Sequence, residues 1–167
     1  MAKVRFMASV SVRPLAHVDR AWVERFVTER WGAPVVVVHG VVYRVDEAPG
    51  FGALHEGEMV GLVTYHLADD ACEIVSLDSA LPGIGVGTAL VAAVADAARR
   101  RRRRRVWLMT TNDNMRALRF YQKRGFALVA VHRDAVAAAR ALKPEIPLIG
   151  DDGIPIRDEI ELELALE

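Results

Sequence analysis

The stretch Ser76-Leu-Asp-Ser-Ala-Leu-Pro-Gly-Ile-Gly-Val-Gly-Thr-Ala-Leu90 sets three alternating glycines between an apolar segment and an alanine-rich one. Residues 72–78 read as a buried strand, and residues 86–101 as a helix rich in Ala, the best helix former. Gly83, Gly85 and Gly87 let the chain turn sharply and bring its backbone close to a ligand, since no Cβ intervenes. The N–H groups of Gly85, Val86, Gly87 and Thr88 stand at the helix start, where no intrahelical acceptor exists. They converge on one point, backed by the positive end of the helix dipole, and so form a site for a pyrophosphate.

Two common phosphate motifs fit this stretch poorly. A P-loop ends in Gly-Lys-Ser/Thr, and here Gly87-Thr88 has no lysine. The dinucleotide fingerprint needs GxGxxG and an acidic residue about 20 positions on. The glycines here are spaced by two, and arginines followed by Val106-Trp-Leu-Met-Thr-Thr111 occupy the downstream region.

Upstream, residues 9–13 suit a first strand that Pro14 ends. Residues 17–30 have helical spacing, with Val18, Trp22 and Phe26 as the expected apolar stripe, and Gly32 and Pro34 close that helix. Residues 35–45 are valine-rich and favour extended chain, yet they run into the irregular Asp46-Glu-Ala-Pro-Gly-Phe-Gly52. Residues 51–55 and 59–67 read as a hairpin around Glu56-Gly57-Glu58, and a turn at Ala68-Asp69-Asp70 leads into the strand before the glycines. Downstream, residues 106–111 are β-rich, and Asn112-Asp113-Asn114 offer helix caps. A helix then runs to about Arg124, where Gly125 stops it, and residues 126–131 form a strand. Residues 159–167 alternate, with Ile160, Leu162, Leu164 and Leu166 on one face and glutamates on the other. The order β-α-β-β-β-α-β-α-β-β, without repeat or linker, predicts one domain over residues 1–167, an α/β fold with a mixed, largely antiparallel sheet flanked by helices.

The glycine stretch and the later segment Asn114-Met-Arg-Ala117-Leu-Arg-Phe120-Tyr121-Gln-Lys123-Arg-Gly125-Phe126 together resemble the GNAT N-acetyltransferases. The second segment matches Asn-x-x-Ala-x-x-Phe-Tyr-x-Lys-x-Gly-Phe at each specified position. In the first, Gly85 and Gly87 match the acetyl-CoA loop, but Pro82 stands where the family has Gln or Arg. Pro82 brings neither a side-chain donor nor an N–H. Helical spacing puts Asn114, Ala117, Leu118 and Tyr121 on one face. Small Ala117 leaves room for a pantetheine arm, and Phe120 reads as a packing residue beside the cofactor.

The resemblance implies a cleft where residues 72–78 splay away from residues 106–111, with acetyl-CoA as co-substrate and no metal. Pantetheine would pair with backbone near Val75 and Leu77, and the Leu77 N–H would stabilise the oxyanion. Tyr121 would protonate the departing thiolate. Glu73, read as sharing a strand face with Val75 and Leu77, is the candidate base, with His66 and His132 as alternatives. Cys72 has the chemistry of an acyl acceptor but no indicated histidine partner. The proline-rich stretch 143–158 resembles an extension found in some bacterial family members. Read on their own, its carboxylates Asp151, Asp152 and Asp158, with Glu159, are either solvated turn residues or groups that meet a cationic acceptor.

Composition narrows the alternatives. Hydrophobic residues make up 52% and basic and acidic residues number 22 each, so no net field draws nucleic acid or a membrane. Seven consecutive arginines, Arg99 to Arg105, read as an exposed helix end rather than a nucleic-acid patch. Cys72 is the only cysteine, which suits a reducing compartment. Neither an apolar leader in Met1-Ala-Lys-Val-Arg-Phe nor a membrane span is expected, so the expected setting is the cytoplasm. The expected partner is a small-molecule or peptide amine, and a homodimer is compatible with these features. The rival function classes are an acetyl-CoA-binding regulatory domain without catalysis and, behind it, a nucleic-acid binder using the arginine run.

Overall fold

The glycine-flanked helix predicted at the centre of the chain is present, and the sheet forms around it. The computed structural model describes residues 9–167; the expectation of no leader falls largely on residues 1–8, outside the described residues. Strand β1 (Ser11–Pro14) and helix α1 (Arg20–Trp31) come first, then a short hairpin, β2 (Val35–Val38) and β3 (Val41–Arg44). The long strands β4 (Gly50–His55), β5 (Glu58–Ala68) and β6 (Ala71–Ser79) follow, then helix α2 (Val86–Arg100) and β7 (Arg105–Thr111). The chain closes with α3 (Met115–Gln122), β8 (Ala127–His132), α4 (Ala135–Leu142) and β9 (Glu159–Ala165).

Seven strands form one sheet in the order β1-β4-β5-β6-β7-β9-β8, antiparallel throughout except at β6–β7. The mixed, largely antiparallel sheet is therefore as the sequence predicts, but two elements differ. The ambiguous valines of residues 35–45 form a separate two-stranded hairpin. Helix α4 occupies part of the interval between the last two strands, and β9 then inserts between β7 and β8, so its glutamates are not all on an open face.

Helix α2 presents Leu90, Val94, Ala97 and Ala98 at i, i+4, i+7 and i+8 to one side of the sheet, where Cys72, Ile74 and Val106 meet them. Leu90 and Val94, both fully buried, are each worth about 1.5–3 kcal/mol. On the opposite side α1 buries Val23 and Val27 against Val45 and Leu62. The expected stripe is thus rotated: Val18 is 85% exposed, because the helix proper begins at Arg20 and Val18 lies in a preceding single turn. Trp22 and Phe26 do reach this core at its margin and stack at 4.6 Å.

Asp19 anchors the start of α1. Its carboxylate receives two bonds from the Arg13 guanidinium, at 2.7 and 2.8 Å, and one from the Ala16 N–H at 2.8 Å. The arginine, then the amide, hold its pKa down at about 2 against the opposing effect of burial. A depressed carboxylate stabilises the fold above its unfolded value, and that stability is lost as pH falls from about 4 towards 2. Arg13 is partly exposed, so screening reduces the contribution to about 1–2 kcal/mol. Asp19→Asn is expected to lower stability by that amount at neutral pH and to flatten the acid limb of a urea-melt series between pH 5 and pH 2. An unchanged acid limb would exclude this ion pair as its source.

Candidate active site

The pairing of β6 with β7 stops after three rungs, Ala71 with Arg105, Cys72 with Val106 and Glu73 with Trp107. Beyond Glu73 the two strands diverge. The cause lies on the other edge of β6. Ile74 faces Tyr65 and Ser76 faces Thr64, so Val75 has no opposite residue on β5. A bulge of this kind bends its strand and strengthens the local twist. The result is a cleft of about 730 Å³ between the separated strands, floored by residues of β6 and β7 and closed by α2 and α3.

The bulge also alters which side chains share a face. Directly paired residues lie on the same side of a sheet. Leu77 pairs with Val63 and Ile74 with Tyr65, and all four belong to the core beneath α2. Glu73 pairs with His66, Ser76 with Thr64 and Asp78 with Leu62, on the side covered by α1 and the β2–β3 hairpin. The expectation that Glu73, Val75 and Leu77 lie on one face is therefore corrected. A strict two-residue period holds only without an extra residue, and Val75 is one.

Every other predicted site residue lines this single cleft: Val75 and Leu77 from β6, Gly83, Gly85, Val86, Gly87 and Thr88 around the start of α2, and Asn114, Ala117, Phe120 and Tyr121 around α3. Gly85 caps α2 at φ 87°, a left-handed conformation that glycine adopts without strain. The first N–H to bond into the helix is that of Ala89, to the Gly85 carbonyl at 3.0 Å. The amides before it remain available at the cleft rim. Gly87 is required by close packing: a Cβ there would stand 2.9 Å from the Phe120 ring.

Asn114 caps α3, its side-chain oxygen accepting from the Ala117 N–H at 3.1 Å. That frame presents Ala117 and Tyr121 to the cleft, while Leu118 turns to the core. Tyr121 is buried between Phe120 and Phe126, in edge contacts at 5.0 and 5.2 Å. Burial raises its pKa, and Arg124 acts in the opposite direction. Among the described residues its hydroxyl forms no hydrogen bond.

Arg124 was legible only as an unassigned position between Lys123 and Gly125, yet it lines the cleft beside the start of α2. Its guanidinium stacks 3.6 Å over Phe120 and donates to the Phe120 carbonyl at 2.7 Å. It also donates to Thr88 Oγ1 from Nε at 3.0 Å and from Nη2 at 2.5 Å. Arg116 and Trp31 are further lining residues that the sequence did not single out.

Glu73 does not line the cleft. It sits at the apex, on the last rung before the strands part, and is only 3% exposed. Its Oε1 lies 2.7 Å from His39 Nε2, and its Oε2 accepts from the Tyr43 hydroxyl at 2.8 Å. Of the alternative histidines, His66 stands against the Tyr43 ring and His132 pairs with Glu161 on the β8–β9 edge. Cys72 is fully buried, and burial pushes its thiol up to about 12, which removes it as a nucleophile.

Of the carboxylates expected to recruit an acceptor, Asp151 lines the cleft and two others are engaged elsewhere. Asp158 pairs with Arg157 and accepts from the Asp134 N–H; Glu159 is buried and accepts from the His39 N–H. Instead, residues 143–158 brace the site. Lys143 donates to the carbonyls of Trp31 and Val35, and Gly150 packs so tightly on Asp113 that a Cβ would collide with its carboxylate. Within the arginine run, Arg99 pairs with Asp96, Arg105 with Glu163, and Arg103 donates to the Asp69 carbonyl.

A sheet opened at a parallel pair, with a glycine-started helix on one side of the opening, defines an acetyltransferase fold. A model of the "Acetyltransferase (GNAT) family" matches residues 11–126, and the chain belongs to that family. It is 44% identical over 159 residues to the uncharacterized protein YxbD of Bacillus subtilis, covering 95% of this chain and 100% of that one. Among solved structures, an IAA acetyltransferase from Bacillus cereus superposes with a TM-score of 0.70 at 21% identity, covering 95% of this chain and all of the other. A GNAT acetyltransferase from Elizabethkingia anophelis, solved with acetyl-CoA bound, gives 0.67 at 18% identity over 95% of this chain and 99% of its own. These two likenesses establish the shared fold.

Proposed function

We propose that this protein transfers the acetyl group of acetyl-CoA to a primary amine by direct attack in a ternary complex. The observation that carries the reading is the split at Glu73, which opens the sheet between a phosphate-binding rim on the α2 side and a polar face on the α1 side. Acetyl-CoA, the molecule bound in the Elizabethkingia structure of this fold, enters from the rim. Its pyrophosphate lies on the amides of Gly85 to Thr88, where the dipole of α2 favours negative charge. Arg124 supplies there the donor that Pro82 lacks. The pantetheine arm runs past Ala117 along the unpaired edge of β6 near Val75 and Leu77.

Catalysis then needs alignment, oxyanion stabilisation and two proton movements. The Leu77 N–H receives the oxyanion, Tyr121 protonates the sulfur, and Glu73 serves deprotonation of the amine. The acceptor approaches across Trp31, Ser76 and Asp78 on the α1 side, where the Asp78 carboxylate suits a cation although Arg30 stands 3.7 Å from it. The arginine run is largely occupied with its own neighbours and takes no part.

The test is CoA release from acetyl-CoA against a panel of polyamines, aminoglycosides and peptides with free N-termini. Transfer to at least one class is expected. Tight acetyl-CoA binding without transfer to any of them would favour a regulatory domain instead.

A further inference from the structure

Resting on the acetyl-transfer reading above, we propose that His39, on the turn of the β2–β3 hairpin, takes the proton from the incoming ammonium, and that Glu73 and Tyr43 position it. The hairpin turns through His39 and Gly40, at φ 41° and 77°, the two-residue turn with both φ positive that suits a tight hairpin. Histidine is among the residues that tolerate this conformation better than most. Two buried glutamates hold the turn on the sheet. Glu159 of β9 accepts from the His39 N–H at 3.2 Å, and Glu73 of β6 lies 2.7 Å from His39 Nε2.

Each Glu73 oxygen already has a partner, His39 on one and Tyr43 on the other, and the residue is buried, so the carboxylate reaches a substrate only through these groups. Burial and Glu73 raise the pKa of Tyr43, which keeps its phenol a donor. The imidazole is the open end of this chain: its side chain is 25% exposed, and among the described residues Nδ1 forms no hydrogen bond. With Nε2–H donated to the carboxylate, Nδ1 carries the lone pair. The ring tilts against Trp107 at 5.3 Å, and Trp107 is the β7 partner of Glu73 on the last rung before the cleft. The titratable groups facing His39 are Glu73 on β6, Tyr43 on β3 and Glu159 on β9. His66 on β5 stands beyond Tyr43, and Arg105 on β7 lies over the Trp107 ring.

The proton ledger closes. The ammonium R–NH₃⁺ gives one proton to His39 Nδ1, which returns it to solvent. The neutral nitrogen forms a bond to the thioester carbonyl carbon, and the C–S bond breaks. Tyr121 gives its proton to the departing sulfur, and the second proton lost by the nitrogen passes through solvent to the Tyr121 phenolate, which restores the phenol and leaves amide and CoA thiol.

Two measurements test this on the full chain. Spectra of ¹⁵N-histidine-labelled protein, with His39 identified by its absence in His39→Asn, are expected to show the neutral ring protonated on Nε2; a proton on Nδ1 overturns the proposal. In CoA-release assays, His39→Asn is expected to lower turnover of n-butylamine, a cation at neutral pH, by roughly 10²–10⁴-fold. Turnover of hydroxylamine, already uncharged there, should be nearly unchanged, and the butylamine deficit should narrow as alkaline pH neutralises the amine itself. Equal loss with both probes would mean a structural role, and no loss with either would mean no role. Wild-type protein that binds acetyl-CoA yet transfers to neither probe, nor to any panel amine, counts against the acetyl-transfer reading itself, whereas the wrong tautomer or equal loss counts against His39 alone.

Discussion

Tyr121→Phe is expected to lower kcat by roughly 10²–10⁴-fold while leaving the KM for acetyl-CoA nearly unchanged, the signature of a proton donated only in the transition state. The structure makes the substitution a clean one. The ring is clamped edge-on by Phe120 and Phe126, and the phenylalanine ring retains both contacts. Among the described residues no hydrogen bond is lost with the oxygen, so the thermal midpoint should move little. Burial raises the pKa of the phenol and Arg124 opposes that shift, so Tyr121 rests protonated, as the proposed general acid must. Steady-state rates with an accepted amine, read beside a melting curve, decide the matter. A phenylalanine variant with full kcat would sink the role, and a loss confined to KM would reassign Tyr121 to binding.

What the sequence revealed, and what it hid, follows from how local each signal is. The cap at Asn114, the exposure of Ala117 and Tyr121 to one cleft and the left-handed Gly85 are all fixed within a turn or two of chain, and all were legible. The antiparallel run β4-β5-β6 was legible because its turns carry Glu56-Gly57 and Asp69-Asp70, short pairs suited to tight hairpins. The rotated face of α1 was not, because the single turn before Arg20 shifts the helical phase and strands Val18 outside. The bulge at Val75 has no sequence mark at all. It arises from pairing with β5, and it alone moves Glu73 off the face of Leu77. The partners of Glu73 lie 30 and 34 residues away on a hairpin whose uniform valines gave no register, so a carboxylate legible as a base candidate concealed the imidazole beside it.

Arg124→Ala should weaken acetyl-CoA binding by about 10- to 100-fold, as expected for losing a charge-assisted hydrogen bond worth about 1.5–3 kcal/mol. Pro82 leaves the loop without the side-chain donor usual in the family, so in the proposed reading the amides from Gly85 to Thr88 and this guanidinium would carry the phosphate end between them. The guanidinium is held in place before any ligand arrives, stacked on Phe120 and bonded to the Phe120 carbonyl and Thr88 Oγ1. Such preorganisation spares part of the ordering cost that a free arginine would incur on binding. Arg124→Lys keeps the charge but loses the fork and the planar stack, and should fall between alanine and wild type. Gly87→Asp is a poorer probe of the same contact, because its Cβ meets Phe120 at 2.9 Å and would disturb the stack before its carboxylate reached a phosphate. Calorimetric titration with acetyl-CoA and with dephospho-CoA separates the possible contacts. A deficit of equal size for both ligands places Arg124 on the pyrophosphate, whereas a deficit seen only with acetyl-CoA places it on the 3′-phosphate. Unchanged affinity for both ligands in a folded alanine variant would show that the amides hold the cofactor without Arg124.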